Sequence, residues 1–338
     1  MFKLIAPTVV GIFLASSAFS DTTITVPYKK TSSTHFITNL TTEHLAKQVS
    51  DIKFNIKNIN GGGGLKGATI FANTAKSDGS EMFITSGTIG INYVLKGADA
   101  GYDYSKWKPM FGFSTGGVWV AKPKYKSLDN IMKTKPSFTA SGKSSYSMDI
   151  IVPLMTKILG WDTKVVWGNG SKGRFKAFMS NETNLDYQTS VSYVKRYAKN
   201  PDASIPLFTV GMLNEDGSFS RAPDFPNVPH FTEVLNTYGI STDTIEYRAW
   251  LIAYKVLFDT KTYMVVPNGT PSKIYSKYVA GYSKALTSAD FLDAFTKKAG
   301  FSTIIIGDTA QAKYKQAFDF DDKEALIWLQ DYAKSFKK

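Results

Sequence analysis

Two short turns hold the residues of this sequence best suited to chemistry. Gly61–Gly64 is a run of four consecutive glycines that follows the alternating apolar residues Phe54, Ile56 and Ile59. Ser86-Gly87-Thr88 follows the strand-like Glu81–Thr85. Residues without a Cβ accept positive φ and let the backbone approach a ligand closely. Each turn opens a helix-like segment, and a helix start offers unpaired N–H groups at a positive dipole end. The chemistry this suits is capture of an anionic group by main-chain N–H groups and hydroxyls. Gly62, Gly64 and Gly67 also fit the GxGxxG spacing of dinucleotide sites. A lone match is weak evidence, and Lys66 is followed by Gly67, not by the Ser or Thr of a P-loop. Bond-making chemistry has little to stand on. The histidines are His35, His44 and His230, cysteine is absent, and no HExxH, GxSxG or SxxK motif stands in a convincing context. No catalytic residue, metal site or cofactor is expected.

The elements that must position these turns read as alternating strands and helices. Thr23–Pro27 alternates like a strand, and the loop Tyr28–Thr34 leads to a helix carrying Phe36, Leu40, Leu45 and Val49, with Ser33 or Thr34 as its N-cap. Leu65–Ala75 reads as a helix, and Asp78-Gly79 as a turn. Lys108–Phe113 and Gly117–Ala121 read as strands, after which the rhythm restarts. Three further strand-to-helix loops are rich in small polar residues: Ser141–Ser145, Gly168–Ser171 and Gln188–Ser190. Gly211–Pro229 is irregular, and the helical Ile245–Phe258 and strand-like Thr262–Val266 bring the chain back. Such alternation predicts an α/β protein of mostly parallel sheets flanked by helices, with ligands outside the strand carboxyl ends. The expected organisation is a discontinuous first domain, 22–121 plus 252–338, with a second domain, 122–251, inserted into it.

The order and spacing of Asn58–Gly64, Leu65–Ala75, Asp78-Gly79 and Ile84–Thr88 resemble the TctC or Bug family, the substrate-binding receptors of tripartite tricarboxylate transporters. The Pro267-Asn268-Gly269-Thr270-Pro271 turn before a helix is a further likeness. The resemblance implies a two-lobed periplasmic-binding-protein fold, type II-like, with a hinged interlobe cleft. It also implies an organic carboxylate ligand, membrane-embedded transporter subunits as partners, and a monomeric receptor. In the first domain it points to Tyr28, Ser32, Ser33, Thr34, His35, Ser86, Gly87 and Thr88 as ligand-binding residues. In the second it points to Ser144, Ser145, Asn169 and Gln188. Where the family carries Pro-Gly-Gly and then usually an acid, this chain has Lys30-Thr31-Ser32 and His35. That departure predicts a preference for di- or tricarboxylates over amino acids. The alternatives are a receptor of another transporter family with the same architecture and, less well supported, a periplasmic enzyme.

Composition and the amino terminus agree with export. Lys3, the apolar Leu4–Leu14 and Ala18-Phe19-Ser20 form a signal-peptide pattern over residues 1–20, with cleavage before Asp21. An uncleaved anchor is the alternative. The formal charge of +12 becomes +11 without Lys3. The basic residues are scattered and form no dense cluster, so a nucleic-acid partner is not expected. Diffuse positive charge suits small anions.

Overall fold

The computed structural model describes residues 21–259, 261–300 and 302–336, so the signal-peptide pattern lies outside the described residues. The first lobe is built on β1 (Asp21–Val26), α1 (Ser33–Ala46), β2 (Lys53–Asn58), α2 (Leu65–Thr74), β3 (Glu81–Ile84), α3 (Gly87–Lys96) and β4 (Trp107–Phe113). Ile24, Val26 and every residue of Met82–Ile84 are fully buried, which makes β1 and β3 the middle of the sheet. β2 alternates exposed and half-buried residues, as suits an edge strand.

The chain then builds a second lobe from β5 (Gly117–Ala121), α4 (Leu128–Thr134), β6 (Phe138–Gly142), α5 (Ile151–Ile158), β7 (Thr163–Trp167), α6 (Ser171–Met179), β8 (Leu185–Thr189), α7 (Ser190–Arg196) and β9 (Ile205–Thr209). The small hairpin β10 (Met212–Leu213) and β11 (Phe219–Ser220), α8 (Phe231–Thr237) and α9 (Ile245–Tyr254) complete it. A π-helical turn, Lys255–Asp259, leads back to β12 (Thr262–Pro267), α10 (Ser272–Leu286), α11 (Ala289–Ala299), β13 (Ile304–Ile306), α12 (Asp308–Phe318) and α13 (Lys323–Ser335).

The first-lobe sheet has the order β13-β4-β12-β3-β1-β2. β1 pairs in parallel with both β2 and β3, so the chain crosses over β1 on its way between them. The carboxyl end of β1 is therefore a topological switch point, where open α/β sheets form ligand crevices. β12 runs antiparallel to β3 and β4, and β13 antiparallel to β4. Four of the six strands thus share one direction, while the two that return from the second lobe enter in reverse. In the second lobe β5 pairs antiparallel with β8 and β9, and β6 pairs in parallel with β7. The α/β architecture is as expected, and among the described strands parallel pairing occurs in β2-β1-β3 and β6-β7, with one isolated parallel bridge between Thr209 and His230. Asn184 pins β6 beside β8: its N–H donates to the Thr139 carbonyl at 2.9 Å, and its Oδ1 accepts from the Thr139 N–H at 2.7 Å.

Two segments of chain cross between the lobes, 114–116 and 255–259 with Lys261 beyond it, and they are bonded to each other. The Thr115 N–H donates to the Phe258 carbonyl at 3.0 Å, and the Lys261 N–H to the Phe113 carbonyl at 3.0 Å. α13 is a third tie. Ala325, Leu329 and Ala333 recur every four residues and are buried in the second-lobe core beside Leu154 and Trp250. Tyr332 Oη donates to the Pro153 carbonyl at 3.1 Å, while Gln330 Nε2 donates to the Val94 carbonyl of α3 at 2.9 Å. The last helix, assigned from sequence to the first domain, thus packs across both lobes.

Candidate ligand cleft

Between the lobes lies a cavity of about 310 Å³. On the first-lobe side its wall is made by the two turns that follow β1 and β3. Ser32 caps α1, its Oγ accepting from the His35 N–H at 3.1 Å, one or two residues before the Ser33 or Thr34 expected from sequence. The N–H groups of Ser33 and Thr34, in the first turn of α1, have no intrahelical acceptor, and both residues line the cavity. Ser86 caps α3 in the same way, leaving the first-turn N–H groups of Gly87 and Thr88 beside the cavity. Tyr28 ties the turns together. Its hydroxyl donates to the Gly63 carbonyl at 2.8 Å and lies 2.6 Å from Ser86 Oγ. Burial pushes the Tyr28 phenol up to about 12, against the pull of bonds from Ser86 and Thr88, so it stays protonated at neutral pH.

The glycine run makes this crossing possible. Gly63 and Gly64 have φ of +76° and +103°, and a Cβ on Gly64 would stand 2.9 Å from Tyr28 Oη. Of the four glycines, Gly63 lines the cavity; the run serves mainly to seat Tyr28.

The second lobe supplies Lys143, Ser147, Met148 and Asp149 from the β6–α5 loop, Gly170 at the N-cap of α6 with Ser171 and Arg174 from the helix, Thr189 from the end of β8, and Val191 and Ser192 from α7. Arg174 is 4% exposed and sits between two carboxylates. It is paired with Asp149, has Nε 3.5 Å from Asp186 Oδ1, and donates through Nη2 to the Tyr187 carbonyl at 3.0 Å. Burial raises the Asp186 carboxyl against the pull of Arg174, with bonds from Gln188 and Tyr197 also favouring the charged form. Asp149 Oδ2 also accepts from the Lys143 N–H at 2.7 Å, which fixes the loop that carries this lysine. The crossing segments contribute Ser114, Thr115 and Lys261.

Of the first-lobe residues singled out from sequence, Tyr28, Ser32, Ser33, Thr34, Ser86, Gly87 and Thr88 meet at this cavity. His35 does not line it. Its Nδ1 lies 3.2 Å from Asn58 Nδ2, because α1 turns the ring away from the cleft toward β2. None of the four second-lobe residues lines it either. Ser144 Oγ accepts from the Tyr146 N–H at 3.1 Å, and Ser145 is buried. The Asn169 N–H donates to the Gly142 carbonyl at 2.9 Å. Gln188, placed in a loop from sequence, lies within β8, donating to Asp186 at 2.7 Å and accepting from Ser171 Oγ at 3.0 Å. These residues hold the loops, and their neighbours Lys143, Ser147, Ser171 and Arg174 face the cavity. The hydroxyl and glycine content of the loops marked where the wall is; which member of each loop faces inward depends on tertiary packing. Lys261 lies outside any such loop and carried no local signal.

The titratable lining residues are Tyr28, Lys143, Asp149, Arg174 and Lys261. Three cations therefore meet one carboxylate, Asp149, and that one is paired with Arg174. A second groove, about 450 Å³, shares Ser32, Ser33, Ile37 and Val191 with the cavity and carries Lys30, Lys195, Lys199, Lys297 and Lys298. No acidic residue lines it. Among the described residues there is no group of three or more His, Cys, Asp or Glu placed to hold a metal, and no helix is long and apolar enough to cross a membrane.

No protein-family model matches this chain, and no curated protein sequence is significantly similar to it. Solved structures are similar. Rpa4515 of R. palustris, solved with adipate, superposes with a TM-score of 0.67 at 15% identity, covering 93% of this chain and 96% of that one. MatC (Rpa3494) from Rhodopseudomonas palustris, with bound malate, gives 0.65 at 19% identity over 93% and 99% of the two chains. A TctC solute-binding protein from Polaromonas, without ligand, gives 0.63 at 12% identity over 93% and 98%. Over nearly its whole length this chain has the two-lobed fold of the TctC-type periplasmic solute-binding proteins.

Proposed function

We propose that this protein captures an organic carboxylate in the interlobe cleft and hands it to the membrane-embedded subunits of a tripartite tricarboxylate transporter. The observation that carries this reading is the convergence of two helix starts on one cavity. The first-turn residues Ser33 and Thr34 of α1 and Gly87 and Thr88 of α3 line a space whose cations outnumber its acids. Oriented N–H groups and helix dipoles hold a carboxylate as fixed partial charges. The malate in MatC and the adipate in Rpa4515 support this ligand class.

The division expected at 122–251 would be shifted at both ends, since β5 (117–121) pairs within the second lobe and α9 runs to Tyr254, and the crossings at 114–116 and 255–259 would act as the hinge. Residues 1–20 would direct export, so that the mature chain works as a monomeric periplasmic receptor. A thermal-shift screen over mono-, di- and tricarboxylates, amino acids and nucleotides tests the reading. A carboxylate at about 100 times its Kd adds roughly 2.7 kcal/mol to stability, and should raise the midpoint by several degrees. A screen in which nucleotides or amino acids stabilise and no carboxylate does would contradict it.

A further inference from the structure

The lysine at the base of the cleft has no protein partner. Lys261 is the second residue after the π-helical turn, at the crossing into β12, and it lines the cavity. Its stem lies along the first turn of α3: a Cβ on Gly87 would stand 3.1 Å from Lys261 Cγ. Lys143 reaches the same turn from the opposite lobe. Its Nζ lies 2.5 Å from where a Cβ on Gly63 would be, a point itself 3.5 Å from Thr88 Cγ2. Among the described residues neither ammonium has a hydrogen bond or an ion pair. Arg174 and Asp149 neutralise each other, and Asp259, two residues before Lys261, is engaged with Lys313 Nζ at 3.0 Å. Tyr28 remains a neutral phenol. The first turn of α3 is thus flanked by two lysines, Lys261 along its stem and Lys143 near Thr88, whose ammonium groups have no partner among the described residues.

Resting on the carboxylate reading, we infer that Lys261 is the ligand's counter-ion, pairing with a carboxylate seated on the N–H groups of Gly87 and Thr88, while Lys143 closes over it from the second lobe. The class of ligand this selects is a dianion. A zwitterion would bring an ammonium against two others, and a monoanion would leave one lysine uncompensated. A half-buried ammonium without a partner is costly to keep charged. Burial accordingly pulls Lys261 down to about 8, and an anion beside it would raise it again. Ligand binding is then coupled to proton uptake. Below about pH 7 Lys261 is already charged and affinity is level; above about pH 8 the site must take up a proton, and affinity falls by up to tenfold per pH unit until the liganded value is reached.

The experiment is titration calorimetry of malate, adipate and hexanoate into the mature protein and its Lys261→Met and Lys261→Arg variants, from pH 7.0 to pH 9.5. For the wild type, titrations at pH 8.5 in two buffers of different ionisation enthalpy count the protons taken up. Malate or adipate should bind tighter than hexanoate. Lys261→Met should weaken the diacid at least tenfold at pH 7 and remove the pH dependence. Lys261→Arg, which stays charged, should keep the affinity and lose the pH dependence. Proton uptake by the wild type at pH 8.5 supports the assignment even if a variant does not fold. Diacid binding that is level with pH, takes up no proton and survives Lys261→Met overturns the role of Lys261 and leaves the carboxylate reading standing. Binding of no carboxylate by the wild type overturns both.

Discussion

Replacing Lys261 by Met should make the empty protein more stable. Methionine keeps the unbranched stem that packs over Gly87 and removes an ammonium with no counter-charge. The size of the gain follows from the ionisation equilibrium, which burial draws from the ordinary lysine value of 10.5 down to about 8. At about 1.4 kcal/mol per tenfold change, that bounds the cost of holding the charge at roughly 3 kcal/mol. The residue is only half-buried and the cleft admits water, so a gain of about 1–3 kcal/mol is the expectation after screening. The sign with pH is definite. The unfolded chain binds this proton more tightly than the folded one, so wild-type stability rises with pH between about 8 and 10.5 as the penalty is relieved. The advantage of Lys261→Met is therefore full at pH 7 and shrinks toward pH 10. Urea unfolding without ligand at the two pH values measures both quantities. A variant less stable than wild type at pH 7, or a gap that does not narrow at pH 10, would refute the picture of an uncompensated ammonium. Gain of stability with loss of binding is the pattern expected where a site is held in a costly state for function.

Three further outcomes follow from the same structure. Arg174→Met strips the counter-charge from the buried Asp149 and Asp186 and should cost about 3–5 kcal/mol in urea unfolding; a loss below about 1 kcal/mol would mean that the triad is not buried as described. The lysine-lined groove at the cleft mouth should speed anion capture, so stopped-flow association rates should fall several-fold between 20 and 200 mM salt, by an amount reduced in a Lys195→Gln/Lys199→Gln double variant. Protein recovered from the periplasm should have an intact mass beginning at Asp21; a membrane-bound form that retains residues 1–20 would show the leader to be an anchor.

What the sequence made legible was local. The turn after β1 and the turn after β3 were readable because hydroxyl caps and glycines are short-range signals for helix starts, and Tyr28, Ser32, Ser33, Thr34, Ser86, Gly87 and Thr88 do come together. Ser32, and not Ser33 or Thr34, caps α1, because all three are competent caps and packing chooses among them. Longer-range features left no such trace. His35 sits one helical position beyond the cavity-facing residues, and a turn of about 100° per residue carries its ring to Asn58. Gln188 reads as a loop residue until Asp186 and Arg196 engage it from within β8 and α7. The antiparallel β12 and the docking of α13 across both lobes depend on the return path of the chain, which periodicity does not encode. Lys261 carries no local signal, and only the path of the chain back from the second lobe lays its stem against Gly87.

The central claim is that a carboxylate sits on the first turn of α3, and Thr88→Ala tests it most directly. Thr88 lines the cavity and caps no helix, and although its side chain is hydrogen-bonded to Tyr28, that phenol keeps its bond to the Gly63 carbonyl and its contact with Ser86, so the fold should survive the change. Calorimetry of the best carboxylate from the screen should show one site per wild-type chain and a Kd raised about 10- to 100-fold in the variant, the worth of a hydrogen bond to a charged group. Equal affinity of the two proteins for that carboxylate, with both fully folded, would place the ligand elsewhere and contradict the account.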